Sequence, residues 1–184
     1  NADLGNATLT GATLTDANVT GADLTSALLY GATLEGADLS GANLSGSTIT
    51  ESQFVSASFV AGVNLTGHNM SGWDLSEVDL YDARLRYADL TGADLTSGNL
   101  MLADLEGADL SGSNFSNVYW YDDATWTDAF YYTDNEPTWR SGMDAAWRTS
   151  VGILALAPTN AVPEPSTLLL ALFGLALLPR KRRR

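Results

Sequence analysis

One feature limits the possible folds more than any other: an apolar residue falls on every fifth position. The series is Leu4, Leu9, Leu14, Val19, Leu24, Leu29, Leu34, Leu39, Leu44, Ile49, Phe54 and Phe59. One residue is skipped, and it resumes at Leu65, Met70, Leu75, Leu80, Leu85, Leu90, Leu95, Leu100, Leu105, Leu110 and Phe115. All 23 positions are apolar in a chain that is 45% hydrophobic. Chance would give that about once in 10⁸, so the period is a structural unit.

The other positions of the unit are also chosen. Two residues before the apolar centre stands Ala in 15 of 23 units. One before it the chain favours Asp, Asn and Thr, one after it Thr and Ser, and two after it Gly. A period of five fits neither the 3.6 of a helix nor the 2 of a strand. Gly and Thr at this density also oppose a helix. A short extended piece with two inward residues, then a bend, does fit. Four such pieces close a square turn, and turns stack at about 4.8 Å. The repeats then make nearly six turns, on the order of 28 Å of rod.

The skipped residue lies in Val60-Ala61-Gly62-Val63-Asn64, after twelve units. A bulge is expected there, at residues 60–64, where a turn ends. His68 and Trp73 then take the position usually held by Ala. The expectation is a local widening of the rod, with Trp73 and Met70 packed around the bulge. A ligand pocket formed by His68, Met70 and Trp73 is the alternative.

The units Ala22-Asp23-Leu24-Thr25, Ala37-Asp38-Leu39-Ser40, Ala93-Asp94-Leu95-Thr96 and Ala108-Asp109-Leu110-Ser111 resemble the pentapeptide-repeat family. The resemblance covers Asn1 to Val118. It implies an all-β fold, a right-handed quadrilateral β-helix with Leu or Phe stacked inside. Asn1-Ala2-Asp3-Leu4 already lies inside a repeat, and the expectation is a chain whose start is missing or processed away.

The net charge of −13 is unevenly spread. Residues 1–118 carry 15 acids and 2 Arg (−13), 119–160 carry 6 acids and 2 Arg (−4), and 161–184 carry one acid against five bases (+4). An acidic body does not neutralise phosphates, so no direct nucleic-acid binding is expected. With no Cys and one His, thiolate chemistry and two-His metal sites are excluded, and no cofactor is expected. Stacking would place Asp3 over Asp23 and Asn43, Asp74 over Asp94 and Asn114, and Asp89 over Asp109. Such rows read either as a solvated wall or as oxygen ligands for Ca²⁺.

From Tyr119 the composition turns aromatic. Residues 119–160 hold nine of the 17 aromatic side chains, and Trp120 and Thr125 keep the five-beat. The segment is expected to cap the open end of the rod. The alternative is an aromatic platform for sugar rings at Trp126, Tyr131 and Trp139, with Asp122, Asp123, Asp128 and Asp134 nearby. Nothing sets two of those carboxylates at a catalytic separation, and no catalytic residue is assigned. Ser141-Gly142-Met143-Asp144 resembles a capping box and would start a helix through Trp147 or Ser150.

The end has three parts. Ala161-Val162-Pro163-Glu164-Pro165-Ser166 breaks the chain, Thr167 through Leu178 is almost wholly apolar, and Pro179 leads into Arg180, Lys181, Arg182, Arg183 and Arg184. The apolar run is expected to form a transmembrane-like helix, 167–178, short against the roughly 20 residues of an ordinary spanning helix. Five bases at its end fix them on the cytoplasmic side. Together the parts resemble the PEP-CTERM sorting signal of Gram-negative bacteria. That resemblance implies recognition and processing by an exosortase, passage through the inner membrane, and a role at the cell surface or in extracellular polymer.

Three functions are compatible with these parts. The first is a non-enzymatic exported rod. The second is a DNA-mimicking inhibitor of gyrase or another topoisomerase, as some pentapeptide-repeat proteins are. The third is a surface protein that binds extracellular polysaccharide.

Overall fold

The computed structural model describes residues 2–119 and 121–158. The repeats wind into a coil in which each turn pairs in parallel with the next. Asp3 pairs with Asp23 and Asp23 with Asn43 on one side; Thr8 with Leu28, Thr13 with Thr33 and Asn18 with Asp38 define the other three. The spacing is 20 residues, or four units per turn.

The hydrogen bonds explain each position of the unit. The central residue donates forward, as Leu4 N–H does to the Asp23 carbonyl (2.8 Å). The polar residue donates back, as Asp23 N–H does to the Ala2 carbonyl (2.9 Å). A tight turn closes each corner: Ala7 N–H meets the Leu4 carbonyl at 3.0 Å, with Asn6 at φ 58°. That left-handed φ is the reason Gly prevails there. Asp or Asn before the centre is also required locally. The side chain accepts the N–H two residues on, as in Thr25 to Asp23 (2.9 Å) and Thr66 to Asn64 (3.0 Å).

The core is one column. Leu24, Leu29, Leu44, Leu65, Leu90 and Leu110 are all buried, with Ala22, Ala37 and Ala93 beside them. Each such Leu contributes about 1.5–3 kcal/mol against exposure.

The phase break is a bulge, but not at residues 60–64. In the ordinary register Asp38 alone both donates to Ala17 and accepts from Val19 (3.0 Å each). One turn on, Ser58 donates to Ala37 (2.9 Å) while Phe59 accepts from Leu39 (2.8 Å). Two residues thus oppose one, and the extra residue is at Ser58–Phe59. Phe59 is thrown outward, 61% exposed, and Val60 takes the core position. The next bridges, Asp38 to Phe59 and Asn43 to Asn64, accordingly span 21 residues.

Just before the bulge, one unit is helical: α1, Glu51–Ser56. Thr50-x-x-Gln53 is a capping box, in which Gln53 N–H meets the Thr50 hydroxyl and Thr50 N–H meets Gln53 Oε1. Phe54 on α1 still fills the core and is fully buried.

The coil runs on past Val118. Asp104 pairs with Thr125, Asp109 with Phe130 and Asn114 with Thr138, at spacings of 21, 21 and 24 residues. A second slip therefore falls between Tyr119 and Thr125, so Trp126 rather than Thr125 supplies the core side chain. The last layer is a parallel pair, β1 (Phe130–Tyr132) and β2 (Leu154–Leu156). Between them lies α2, Ala145–Ser150. Its N-cap is Asp144, which accepts Trp147 N–H at 2.8 Å, and not Ser141. The expected apolar helix 167–178 lies outside the described residues, and among those described no helix is long and apolar enough to cross a membrane.

Candidate functional site

The region around His68 is a repair of the coil. His68 and Trp73 occupy the Ala position in the turn that follows α1. Trp73 packs on Phe54, and the His68 ring meets Trp73 edge-on at 5.4 Å. Met70 is fully buried and Trp73 nearly so. The side chains expected around the phase break pack against one another and against Phe54, inside the coil. His68 is half-buried, and desolvation pushes its imidazole below the ordinary 6.5, opposed by a backbone hydrogen bond at Ile49.

The acidic wall forms with the expected partners. Asp3 pairs with Asp23, Asp74 with Asp94, Asp94 with Asn114 and Asp89 with Asp109. Each carboxylate is already engaged within its own turn. The Thr25 hydroxyl and N–H hold Asp23 below the ordinary carboxylate value; Ser40 and Ser76 do the same for Asp38 and Asp74. Among the described residues no three metal-ligating side chains converge. Among the described residues of the repeats, Arg86 forms an ion-pair cluster with Asp104 and Glu106.

The proposed sugar platform is not a platform. Trp126 and Tyr131 are buried, and Trp139 is half-buried and stacked on Phe115 at 5.3 Å with the planes 6° apart. Trp126 lies edge-on to both Phe115 and Trp147 at 5.7 Å, and Tyr121 to Trp147 at 5.1 Å. The rings continue the core column into the cap because the last row of Leu would otherwise face water. Arg148 closes the cluster from outside, its guanidinium 4.9 Å over Trp139 and 3.3 Å from Glu136.

An open aromatic surface exists beside that core. Tyr119, Tyr121, Asp122, Asp123 and Arg140 line a groove of about 390 Å³. The Tyr119 ring is 42% exposed. Arg140 is fixed by the Val118 carbonyl (2.7 Å) and by the Tyr121 ring (5.2 Å). The sequence pointed to this neighbourhood through its aromatic density but could not separate inner from outer rings. Val162 through Ser166 and Arg180 through Arg184 lie outside the described residues.

Comparison with known proteins agrees with both parts of the chain. The pentapeptide-repeat family model matches in eight copies across residues 1–31, 27–60, 61–96 and 99–119. The PEP-CTERM protein-sorting motif matches residues 161–184. No curated protein matches. Among solved structures, the chain is similar to HetL, a pentapeptide repeat protein involved in heterocyst differentiation regulation in the cyanobacterium Nostoc sp. strain PCC 7120. The identity is 28% over 73% of this chain and 68% of that one, with a TM-score of 0.34. It is similar to Rfr23 of the cyanobacterium Cyanothece 51142 at 29%, over 64% of this chain and 63% of that one, TM-score 0.37. A pentapeptide repeat protein of the Arabidopsis thaliana thylakoid lumen is 21% identical over 90% and 89%, TM-score 0.37.

Proposed function

We propose that this chain, which belongs to the pentapeptide-repeat family, is a non-enzymatic exported rod sorted through its PEP-CTERM end. One observation carries the reading: the repeats and the sorting motif occupy opposite ends of one chain, at 1–119 and 161–184. The rod is a right-handed quadrilateral β-helix, and it acts by shape and surface. An exosortase recognises Val162 through Ser166, the apolar run 167–178 holds the chain at the inner membrane, and Arg180 through Arg184 stay cytoplasmic. Processing then delivers the rod to the cell surface or extracellular polymer. The end of the chain supports this, since five bases directly after an apolar run favour the cytoplasmic side of a membrane.

The test is fractionation in an exosortase-bearing host, with a tag on the repeats. Wild type is expected outside the inner membrane and shortened near Pro163-Glu164-Pro165. A chain with Pro163, Glu164 and Pro165 replaced by Ala is expected to stay membrane-held at full length. Full-length wild type found only in the cytosol sinks the reading.

A second reading rests on the groove at Tyr119. An exposed ring beside Asp122, Asp123 and Arg140 has the chemistry to stack on and hydrogen-bond a sugar. The rod would then bind extracellular polysaccharide through that groove. Retention on immobilised polysaccharide that survives Tyr119→Ala and Asp122→Ala removes this reading.

A further inference from the structure

At most corners of the coil the left-handed residue is Gly, and most of the others are Asn, Asp or Ser. Two described corners carry a large aromatic or aliphatic side chain instead: Tyr87 at φ 57° and Leu102 at φ 61°. Such a residue is strained in that conformation, and strain of this kind persists where the side chain serves a site. Both residues flank one side of the coil, whose successive rungs are Asn43, Asn64, Arg84 and Asp104. Tyr87 follows Arg84 and Leu102 precedes Asp104, so they stand at opposite edges of that side. Arg84 and Arg86, the only two bases of residues 1–118, lie there as well.

The Tyr87 ring is held in one place. Its hydroxyl donates to Glu106 Oε1 at 3.3 Å, and the Arg86 guanidinium stands 5.7 Å from the ring centre. The ring lies against Gly107, where an added Cβ would come within 2.5 Å of it. Arg86 is in turn paired with both Glu106 and Asp104. The ring is nevertheless 60% exposed. The result is a fixed aromatic face with a guanidinium and a carboxylate at its edge. Arg84, on the adjoining rung, is exposed and forms no ion pair among the described residues.

We propose that this side of the coil binds an uncharged polysaccharide, one sugar ring of which stacks on Tyr87. A pyranose has an apolar C–H face ringed by hydroxyls. That face covers the tyrosine ring. The hydroxyls both donate and accept, so they need both kinds of partner at the rim. Arg86 donates and Glu106 accepts. Leu102, 43% exposed at the other edge, gives a second sugar ring an apolar contact, with Arg84 between the two. The net charge of −13 repels polyuronates and nucleic acids alike. A protein partner would need a contiguous apolar centre, and the rungs of this side are polar from Asn43 to Asp104. The site is separate from the groove at Tyr119, which pairs with Asn99 on another side of the coil.

The test is calorimetric titration of the full chain with cellohexaose, mannohexaose, maltohexaose and hexagalacturonate. At least one of the three neutral probes is expected to bind with a Kd below about 1 mM, and hexagalacturonate is expected not to bind. Tyr87→Gly restores the residue that this corner favours, so it is expected to melt no lower than wild type. It is expected to weaken binding by about tenfold or more. Tyr87→Phe keeps the stacking face and is expected to hold binding within about threefold. Tyr119→Ala is expected to leave binding unchanged, which separates this site from the groove. Any of four results overturns the proposal: no binding of any neutral probe up to about 10 mM, binding that survives Tyr87→Gly, hexagalacturonate binding as tightly as the neutral probes, or a Tyr87→Gly variant that melts well below wild type, which would mean that the ring is kept for stability.

Discussion

The indole of Trp73 lies 5.9 Å from the ring of Phe54, tilted by 41°. Phe54 belongs to α1 in the third turn and Trp73 to the fourth, so this contact joins the helical unit to the turn that follows it. It does with two rings what Leu stacked on Leu does elsewhere.

The first prediction concerns that contact. Trp73→Ala and Phe54→Ala each remove a large buried side chain and should cost about 3–5 kcal/mol. In a double-mutant cycle the two losses should fall short of additive by about 1 kcal/mol. Urea unfolding of the four proteins measures this, and strict additivity would mean the rings support the rod independently.

Gln53 is the second case. It is buried, and its Nε2 donates to the Leu29 and Ala32 carbonyls at 2.6 and 2.9 Å. Gln53→Ala leaves both carbonyls without that partner and should cost about 2–3 kcal/mol. Thr50→Ala removes only the cap and should cost about 1 kcal/mol. Equal losses would show that capping, and not the bonds to the second turn, holds α1 in place.

The third prediction isolates backbone strain. Glu77 is exposed with φ 61°, and Gly72 has φ 72° with nothing within 4 Å of an added Cβ. Glu77→Gly should stabilise the rod by about 0.5–1 kcal/mol, and Gly72→Ala should destabilise it by about 1 kcal/mol. Thermal unfolding of both variants provides the comparison, and shifts of the same sign would contradict it.

His68 gives the fourth. Its proton is held less tightly in the rod than in the unfolded chain, because burial disfavours the imidazolium. The unfolded chain therefore takes up protons first as the pH drops. The stability His68 contributes is fully present above pH 6.5 and is lost as the pH falls through the lowered folded value. The stability gap between wild type and His68→Gln should narrow from pH 7.5 to pH 5. A constant gap in urea titrations at the two pH values would remove His68 as the titrating group.

The fifth addresses the acidic wall as a DNA mimic. On the proposed function the rod is exported and does not meet a topoisomerase. Gyrase supercoiling should proceed unchanged in the presence of micromolar rod, and inhibition at that concentration would revive the mimic reading.

Much of the site chemistry was legible in the chain. The rows Asp3–Asp23, Asp74–Asp94 and Asp89–Asp109 follow from a fixed 20-residue turn, and they pair as the period requires. Trp73 and His68 stood out because they replace Ala. The bulge was expected as a device but misplaced at 60–64, since Phe59 and Val60 are adjacent apolar residues and either could hold the beat. The capping signature Thr50-x-x-Gln53 was present too, yet it sits in phase with the repeat and so read as one more unit. The same ambiguity left a surface platform at Trp126, Tyr131 and Trp139 as an alternative to the cap, where Trp126 and Tyr131 are buried and Trp139 half-buried.

The sequence by itself determined a four-sided coil of stacked units, because an apolar residue every fifth position can be buried in no other regular way. It also set the polar and turn positions, through side-chain capping of local N–H groups and left-handed corners. Only the tertiary structure decided which of two neighbouring apolar residues goes inward and where the ladder opens. It also decided which rings close the end. Those choices depend on the space left by the turn below, a quantity that no local pattern carries. That is how Val60 came to be core and Phe59 surface.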